Sequence, residues 1–363
     1  MNPSVTNLSK YNWMAKPLFN RVDRKVLLER MKNSPEPRRT ISFYKYAKIG
    51  NPQIFRDHLY LLFEKVNVLG RIYIAREGIN AQISVPEANL ENFIQAKDEI
   101  IFLQNIRLNF AIEDDGQSFF KLLIKVRNKI VADGLDDQAF DVTNSGVHLN
   151  ANEFNQLSSQ ENAVIVDMRN HYESEVGHFK NAITPEVVTF RESLPIIADL
   201  LAEKKDQPIL MYCTGGIRCE KASAYMKYRG FKDVYQLNGG IIEYARQVKS
   251  EGLENKFVGK NFVFDERLGE KISDEIISRC HQCGSPSDQH TNCMNDHCHI
   301  LFIQCASCAN KYEKCCSNKC AEYYKLTEEE KQKLQEQNIK FNGSGFSKGR
   351  YKALKPDQGL NLH

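Results

Sequence analysis

The sequence lacks long apolar runs and a secretory leader. No segment of the 363 residues approaches the ~20 apolar residues that a membrane-spanning helix needs. The first residues, MNPSVTNLSKYNWM, do not show the basic-then-apolar profile of a signal peptide. A G-x-G-x-x-G dinucleotide fingerprint is also missing. These absences predict a cytoplasmic protein outside the membrane, without a nicotinamide or flavin dinucleotide motif.

The small net charge of +3 hides an uneven distribution along the chain. Lys and Arg outnumber Asp and Glu by 21 to 14 in residues 1–133, whereas the counts are 12 to 16 in 134–250 and 16 to 16 in 251–363. A basic N-terminal third is typical of a region that binds a polyanion, and a solvated basic surface is the alternative. The chain is long enough for two or three domains of roughly 100–150 residues each.

The first third alternates short strands with amphipathic helices. The predicted strands are 41–47, 70–75, 80–85, 106–111 and 119–131, and the predicted helices are 52–66 and about 86–99. These elements contain the β-α-β-β-α-β order, which predicts an α+β domain at 40–133, a ferredoxin-like (acylphosphatase-like) sandwich that follows an N-terminal extension at 1–39.

The last of these strands, FFKLLIKVRNKIV, separates apolar from basic side chains by alternation. The basic side chains that share one face are Lys121, Lys125, Arg127 and Lys129. In a sandwich with an open sheet face, a row of cations predicts contacts to phosphates and therefore an RNA-binding surface. A solvated face, or one packed on an acidic neighbour, is the alternative. Tyr44 and Tyr46 are candidates for base stacking or for the core.

Residues 134–144 are polar and acidic and are predicted to form a linker. After it the pattern changes to apolar strands separated by helices. The strands are predicted at 162–169, 208–213 and 232–240, and the helices at 151–159, 217–230 and 240–250. Short apolar strands between helices predict a small parallel α/β sheet covered on both faces, in a domain at 145–253.

A Gly-rich turn, MYCTGGIRCEK at 211–221, lies where a predicted strand gives way to a helix. The loop backbone that can surround an anion there is that of Thr214, Gly215, Gly216 and Ile217. Cys213 is predicted to be a reactive thiolate, because a thiol beside such N–H groups has a lowered pKa. Arg218 adds a permanent charge and a donor fork for an anionic substrate or intermediate. An inert buried Cys213 is the alternative, and Cys219 is either a packed helix cysteine or a resolving thiol.

Cysteine is concentrated in the last third, where nine of the eleven cysteines lie between 280 and 320. Paired short spacings bring thiolates to one tetrahedral ion, and eight of them would fill two four-cysteine zinc sites in a module at 254–324. The predicted ligands are Cys280, Cys283, Cys293, Cys298, Cys305, Cys308, Cys316 and Cys320. One of the adjacent Cys315 and Cys316 is expected to be spare, since neighbouring residues rarely bind one ion together, and Cys316 is taken as the ligand. The spacing fits sequential and interleaved sites equally, and unliganded or disulfide-linked cysteines are the alternative.

Residues 325–363 are predicted to form a charged helix and a basic tail. Thr327 is the expected N-cap, with Glu330 as its capping-box partner. The Gly-rich basic tail is either an inert extension or an RNA contact.

Three stretches of the middle domain resemble the signatures of a rhodanese domain. They are VIVDMRNHYESEVGHFKNAI (164–183), YCTGGIRCEKASAYM (212–226) and YQLNGGIIEYA (235–245). The C-x4-R spacing from Cys213 to Arg218 is similar to that of sulfur-handling rhodaneses, whereas the related dual-specificity phosphatases have C-x5-R. The resemblance also implies four framework residues, Asp167, Arg169, His178 and Gly239.

The resemblance extends beyond this domain. Nearly the whole chain resembles the oxygen-dependent tRNA uridine hydroxylase family, through the rhodanese stretches together with AREGINAQIS (75–84), FFKLLIKVRNKIV, and FVFDERLGEKIS (262–273) followed by CHQCG (280–284). The resemblance implies tRNA as partner, hydroxylation of carbon 5 of the wobble uridine, molecular oxygen as co-substrate, no flavin or haem, and Cys213 as the required cysteine.

The residues themselves add a chemical hypothesis. The sequence shows no two-histidine, one-carboxylate iron site. Addition of the Cys213 thiolate to carbon 6 of uracil would make carbon 5 nucleophilic toward an oxidant. A rhodanese-type sulfurtransferase that carries a persulfide on Cys213 and a non-catalytic RNA-binding adaptor are the alternative functions.

Overall fold

The computed structural model describes residues 18–336 apart from 21, 35 and 136–139. Its contacts divide the chain into two compact units, one of residues 1–106 and 115–130, and one of residues 107–114 and 131–363. Parts of the predicted N-terminal extension and linker, and the predicted basic tail, lie outside the described residues. Within the described ranges, no helix combines the length and the apolar character that a membrane crossing requires.

The first unit is a mixed, mostly antiparallel sheet packed against helices. Its helices are α1 (Arg24–Lys32), α2 (Pro52–Lys65) and α3 (Leu90–Asp98), and its strands are β1 (Arg38–Tyr46), β2 (Leu69–Ala75), β3 (Gly78–Pro86) and β5 (Leu122–Val126). Strand β3 pairs antiparallel with β1 and with β2, and β5 pairs parallel with β2. The core face of the sheet carries Phe43, whose ring contacts Phe93 of α3. The predicted ferredoxin-like, acylphosphatase-like sandwich is confirmed.

Strand β5 is shorter than the predicted strand at 119–131. Its last ladder bond runs from the Arg127 N–H to the Ile74 carbonyl at 2.8 Å, because β2 ends at Ala75 and turns into β3. Of the four basic residues assigned to it, only Lys125 lies within β5, and Lys121, Arg127 and Lys129 flank it.

The second unit combines a parallel sheet with smaller antiparallel pieces. Its strands are β4 (Asn109–Phe110), β6 (Val147–Leu149), β7 (Val164–Asp167), β8 (Gly177–Phe179), β9 (Ile209–Tyr212), β10 (Val234–Leu237), β11 (Phe257–Asn261), β12 (Glu270–Lys271), β13 (His290–Asn292) and β14 (Leu301–Ile303). Its helices are α4 (Ala151–Ser158), α5 (His171–Ser174), α6 (Phe190–Leu200), α7 (Ile217–Tyr228), α8 (Gly240–Glu251), α9 (Ala306–Lys311), α10 (Asn318–Lys325) and α11 (Glu328–Glu336). In the first unit, short 3-10 turns lie at Glu87–Asn89 and Ile101–Leu103. In the second unit, one lies at Ala202–Lys204.

The parallel sheet has the strand order β6-β10-β9-β7, with β9 between two partners. Alternation along β9 places Met211 in one apolar core and Tyr212 in the other, so helices cover both faces. This sheet confirms the predicted parallel α/β fold. The sequence analysis assigned no element to α6, whose interior Pro195 interrupts the helical pattern, or to the three-residue edge strand β6.

The C-terminal region is joined to the parallel-sheet region by strand pairing. Strand β11 pairs antiparallel with β8, and the hairpin β13–β14 follows within the cysteine-rich module. The predicted capping box of the last helix is confirmed, since the Thr327 N–H donates to Glu330 at 2.8 Å and the Glu330 N–H donates to Thr327 at 3.2 Å.

A fully buried ion pair lies between β7 and β8. The Arg169 guanidinium donates to the Asp167 carboxylate at 2.6 and 2.9 Å and to the Gly177 carbonyl at 2.6 Å, and neither side chain of the pair reaches solvent. The two charges compensate each other directly, so removal of one charge leaves the other buried without its main partner.

Replacement Asp167→Asn should therefore destabilise the parallel sheet by about 3–5 kcal/mol. The measurement is the free energy of opening of the β7 and β9 amides by native-state hydrogen exchange. The matched control is Asp199→Asn, which removes the exposed partner of Arg229 and should cost less than about 1 kcal/mol. Equal costs for the two variants would contradict the structural role of the buried pair.

Candidate active site

Cys213 directly follows the central strand β9, and helix α7 begins four residues later. The loop between them makes its sharpest turn at Gly216, which has φ +98°, a conformation that favours glycine. The turn aims the Gly216 N–H at the Cys213 sulfur, which accepts its hydrogen bond at 3.2 Å. The predicted strand-loop-helix arrangement thus brings a backbone donor to the thiol.

The electrostatic surroundings of Cys213 favour its thiolate. Burial on its own raises the pKa of this thiol, because the charged form is desolvated. A hydrogen bond from the Cys219 thiol, the charge of Arg218 and the backbone N–H groups of these two residues, in the first turn of α7, outweigh burial and lower the pKa of Cys213 from 9.0 to about 6. Burial and the neighbouring Cys213 raise the pKa of Cys219 well above its ordinary value, so Cys219 stays protonated and donates.

The start of α8, after β10, is hydrogen-bonded to the cysteine loop. The Ile241 N–H donates to the Cys213 carbonyl at 3.0 Å, and the Ile242 N–H donates to the Thr214 carbonyl at 3.2 Å. A Cβ at Gly240 would overlap both of these carbonyl oxygens, so this backbone approach requires glycine. The loop is held in place by a neighbouring helix start as well as by its own turn.

Arg218 does not present its donor fork to an open site. Its two terminal nitrogens donate to the two carboxylate oxygens of Glu173 at 2.7 and 2.8 Å, and Glu173 is fully buried. One of these nitrogens also lies 3.3 Å from the Thr214 hydroxyl. Arg218 therefore contributes charge and loop rigidity at Cys213, while its planar fork binds a carboxylate of the protein.

The segment 107–114 lies over the cysteine loop. The buried Asn109 amide donates to the Gly215 carbonyl at 3.4 Å, and the Arg107 guanidinium donates to the Asn238 carbonyl at 3.1 Å. Cys213 has no exposed surface in this arrangement. A substrate can reach the sulfur only when the side chains around the loop move.

Glu173 and Asn109 were not identified by the sequence analysis. The capping box of α5, in which the Asn170 N–H and the Glu173 carboxylate bond at 3.1 Å, is readable as Asn-x-x-Glu. Its partnership with Arg218 joins residues 45 positions apart and has no local signal. Asn109 has no sequence signal at all.

The cysteines of the last third form two interleaved clusters. The first consists of Cys280, Cys283, Cys305 and Cys308, and the second of Cys293, Cys298, Cys316 and Cys320. Within each cluster all four sulfur atoms lie within 4.8 Å of one another. Cys315 belongs to neither cluster, whereas the adjacent Cys316 belongs to the second. Tetrahedral zinc with Zn–S bonds of about 2.3 Å separates its sulfurs by about 3.8 Å, and these clusters fit that geometry.

The predicted RNA-binding residues lie at one edge of the first unit's sheet. Lys125 and Arg127 are exposed, and Lys121 and Lys129 are half-buried. The strand registers place Tyr44, Asn80, Tyr73 and Lys125 in one row across the sheet. Tyr44 and Tyr73 are only partly buried, on the face opposite the core, and the Arg127 guanidinium lies 5.7 Å from the Tyr73 ring centre.

Family models match three consecutive parts of the chain. Residues 38–130 match the UPF0176 acylphosphatase-like domain, residues 150–247 match the rhodanese-like domain, and residues 258–321 match the rhodanese C-terminal family. A solved rhodanese-like domain protein from Staphylococcus aureus is 25% identical, with a TM-score of 0.23, and covers 27% of this chain and 90% of its own.

Curated relatives match over most of the length. The tRNA uridine(34) hydroxylase of Pectobacterium carotovorum is 56% identical over 322 residues, which are 87% of this chain and 90% of the relative. The protein of the same name from Photorhabdus laumondii is 53% identical over 347 residues, 95% of this chain and 97% of the relative. The chain belongs to the tRNA uridine(34) hydroxylase family.

Proposed function

We propose that this chain hydroxylates carbon 5 of uridine 34 in tRNA, with Cys213 as the covalent nucleophile. The observation that carries the proposal is the Cys213 thiol at the end of β9. In spite of its burial, Cys219, Arg218 and the backbone N–H groups of these two residues lower its pKa to about 6. Such a group is a thiolate at neutral pH, the reactive form of cysteine. The names of the relatives supply the substrate, uridine 34 of tRNA.

The chemistry begins with the bond between the Cys213 sulfur and carbon 6 of uracil. The electron pair of the 5,6 double bond moves to carbon 5, which attacks molecular oxygen. One oxygen atom stays on carbon 5, and the other leaves as water after uptake of two protons and of two electrons from a small thiol reductant. Loss of the carbon 5 proton and departure of the thiolate restore the double bond and free the enzyme.

In this reaction Arg218 is a positioning residue. Because its fork is bound by Glu173, its charge stays fixed beside the sulfur, where it stabilises the thiolate as nucleophile and again as leaving group. Since Cys213 is fully buried, uracil entry requires an opening of the loop surroundings, a conformational step of the kind that often precedes chemistry in enzymes.

The same proposal assigns tRNA binding to the basic face of the first unit. Lys121, Lys125, Arg127 and Lys129 would contact phosphates, and the half-exposed tyrosines of the row across the sheet offer faces on which unpaired bases can stack. The proposal is supported by the juxtaposition of exposed cations with aromatic rings on a face opposite the core.

We also propose that the two cysteine clusters bind structural zinc. Four thiolates per ion leave no open coordination position, which is typical of structural sites. The module around them has few regular elements, so bound metal would supply folding free energy that its small core does not. We route no step of the hydroxylation through these ions.

Replacement Cys213→Ser should lower hydroxylation at least about 10³-fold, since an uncharged hydroxyl replaces the thiolate. The measurement is mass spectrometry of nucleosides from unmodified tRNA incubated with the protein and a thiol in air. The matched control is Cys315→Ser, and an anaerobic sample should gain no oxygen. Hydroxylation by Cys213→Ser at the wild-type rate would refute the mechanism. Sulfur transfer from thiosulfate without oxygen gain would instead identify a sulfurtransferase.

Replacement of Lys125 and Arg127 by Gln should weaken tRNA binding and reduce the slope of log affinity against log salt by about one for each lost phosphate contact. The measurement is a salt titration of tRNA binding by fluorescence anisotropy. The matched control is Lys65→Gln, at the exposed end of α2, which should leave the slope unchanged. An unchanged slope in the double variant would place the tRNA elsewhere.

Metal analysis of the purified chain should find two zinc ions per chain. Replacement Cys316→Ser should remove one ion, because Cys316 belongs to the second cluster, while its neighbour Cys315→Ser should remove none. Equal metal content in the two variants would show that the clusters are not the zinc sites.

A further inference from the structure

Helix α5 is a single turn with two carboxylates close together in sequence, Glu173 within the turn and Glu175 at its C-cap. Glu173, within the turn, binds Arg218 and also lies 3.5 Å from the Thr214 hydroxyl, so it contacts the cysteine loop at two points. Glu175, the C-cap, follows two residues later and is bonded back to the turn through its N–H and the His171 carbonyl at 2.9 Å. The two carboxylates are thus attached to one hydrogen-bonded turn.

The C-cap of this turn is bound by a histidine of the first cysteine cluster. The His281 Nε2 lies 2.8 Å from a Glu175 carboxylate oxygen, and 9% of the His281 side chain is exposed. The His281 Nδ1 accepts a hydrogen bond from the Ile303 N–H at 3.3 Å, which leaves Nε2 as the nitrogen that donates to Glu175.

His281 lies between two cysteines of the first cluster along the chain. His281 directly follows Cys280 and precedes Cys283, two members of the first cluster, in a turn closed by the Gly284 N–H and the Cys280 carbonyl at 2.8 Å. Its own N–H donates to the Ile303 carbonyl at 2.9 Å. The histidine is therefore fixed at its backbone and at both ring nitrogens.

Apolar packing joins the same two regions independently of this hydrogen bond. Tyr172 and Val176, which flank Glu173 and Glu175, form one buried cluster with Phe262, Leu301 and Ile303. The His290 ring of β13 packs edge-on against Phe262, with ring centres 4.9 Å apart. The turn that holds Arg218 is thus seated on the cysteine-rich module.

We propose that His281 is a positioning residue for the active site: it holds Glu175, and through the α5 turn it holds Glu173 where Glu173 fixes Arg218 beside Cys213. The first cysteine cluster, by folding the turn that carries His281, supports the reactive loop as well as its own module. This inference rests on the proposed function of Cys213, and its test reads the thiol directly, without the hydroxylation reaction.

The test compares His281→Asn with His299→Asn in the full chain. Both histidines directly follow a cluster cysteine, but the His299 side chain is 44% exposed and lies 3.6 Å from Asp296. The readout is the pH dependence of iodoacetamide labelling of Cys213, followed by mass spectrometry of its peptide. Wild type should lose reactivity as the pH falls through about 6, because the thiolate is protonated below its pKa.

His281→Asn should raise the midpoint of this profile by about one pH unit and slow labelling about tenfold at pH 5, because a less fixed Arg218 stabilises the thiolate less. His299→Asn should leave the profile unchanged. Metal analysis should find the same zinc content in both variants. An unchanged labelling profile in His281→Asn would overturn the proposal.

A second pair of variants keeps the test decisive if His281→Asn loses metal or fails to fold. Glu175→Ala removes the acceptor without changing a residue of the cysteine-rich module and should shift the profile as His281→Asn does, whereas Glu175→Gln keeps an oxygen that accepts from Nε2 and should restore it. A Gln variant as shifted as Ala would overturn the hydrogen-bond path. Failure of the proposed function would appear separately, as normal labelling profiles in a wild-type chain that does not hydroxylate tRNA.

Discussion

The buried ion pair between Arg218 and Glu173 is the interaction on which the reactive loop depends. A thiolate without exposed surface is stable only where positive charge and hydrogen-bond donors offset its desolvation, and a guanidinium needs its own partner in such a place. Glu173 fills that need with two hydrogen bonds, so the charge beside Cys213 is held at one position. Cys219, protonated through its own burial, donates the remaining hydrogen bond.

The parallel sheet explains why these groups meet. Cys213 leaves the end of β9, between the partners β7 and β10, and the segments that follow those two strands lie beside it. The chain after β7 contributes α5 with Glu173. The chain after β10 contributes the Gly239–Gly240 turn, which packs closely against the backbone of the cysteine loop. The carboxyl ends of neighbouring parallel strands are the ordinary place for a site in such sheets, because loops from several strands converge there.

The C-terminal region, which includes the cysteine-rich module, is joined to the parallel-sheet region by strand pairing and by buried side chains. Strand β11 pairs with β8, and the buried side chains of β14 pack beside α5. His281 and the buried side chains of β14 thus contact the turn whose Glu173 binds Arg218. A structural metal site in such a place stabilises residues well beyond its own ligands.

The sequence by itself determined the local features, since turns, strand alternation and short cysteine spacings are set by neighbours along the chain. The Gly-rich turn after Cys213, the β-α-β-β-α order, the parallel α/β pattern and the Thr327–Glu330 cap were all readable in this way. Only the tertiary structure decided which distant groups meet: Glu173 with Arg218, Asn109 with the loop, His281 with Glu175, and which cysteines share a cluster. It also ended β5 at Val126, because a strand extends only as far as its partner. Such pairings depend on how the whole chain packs, and no local pattern encodes them.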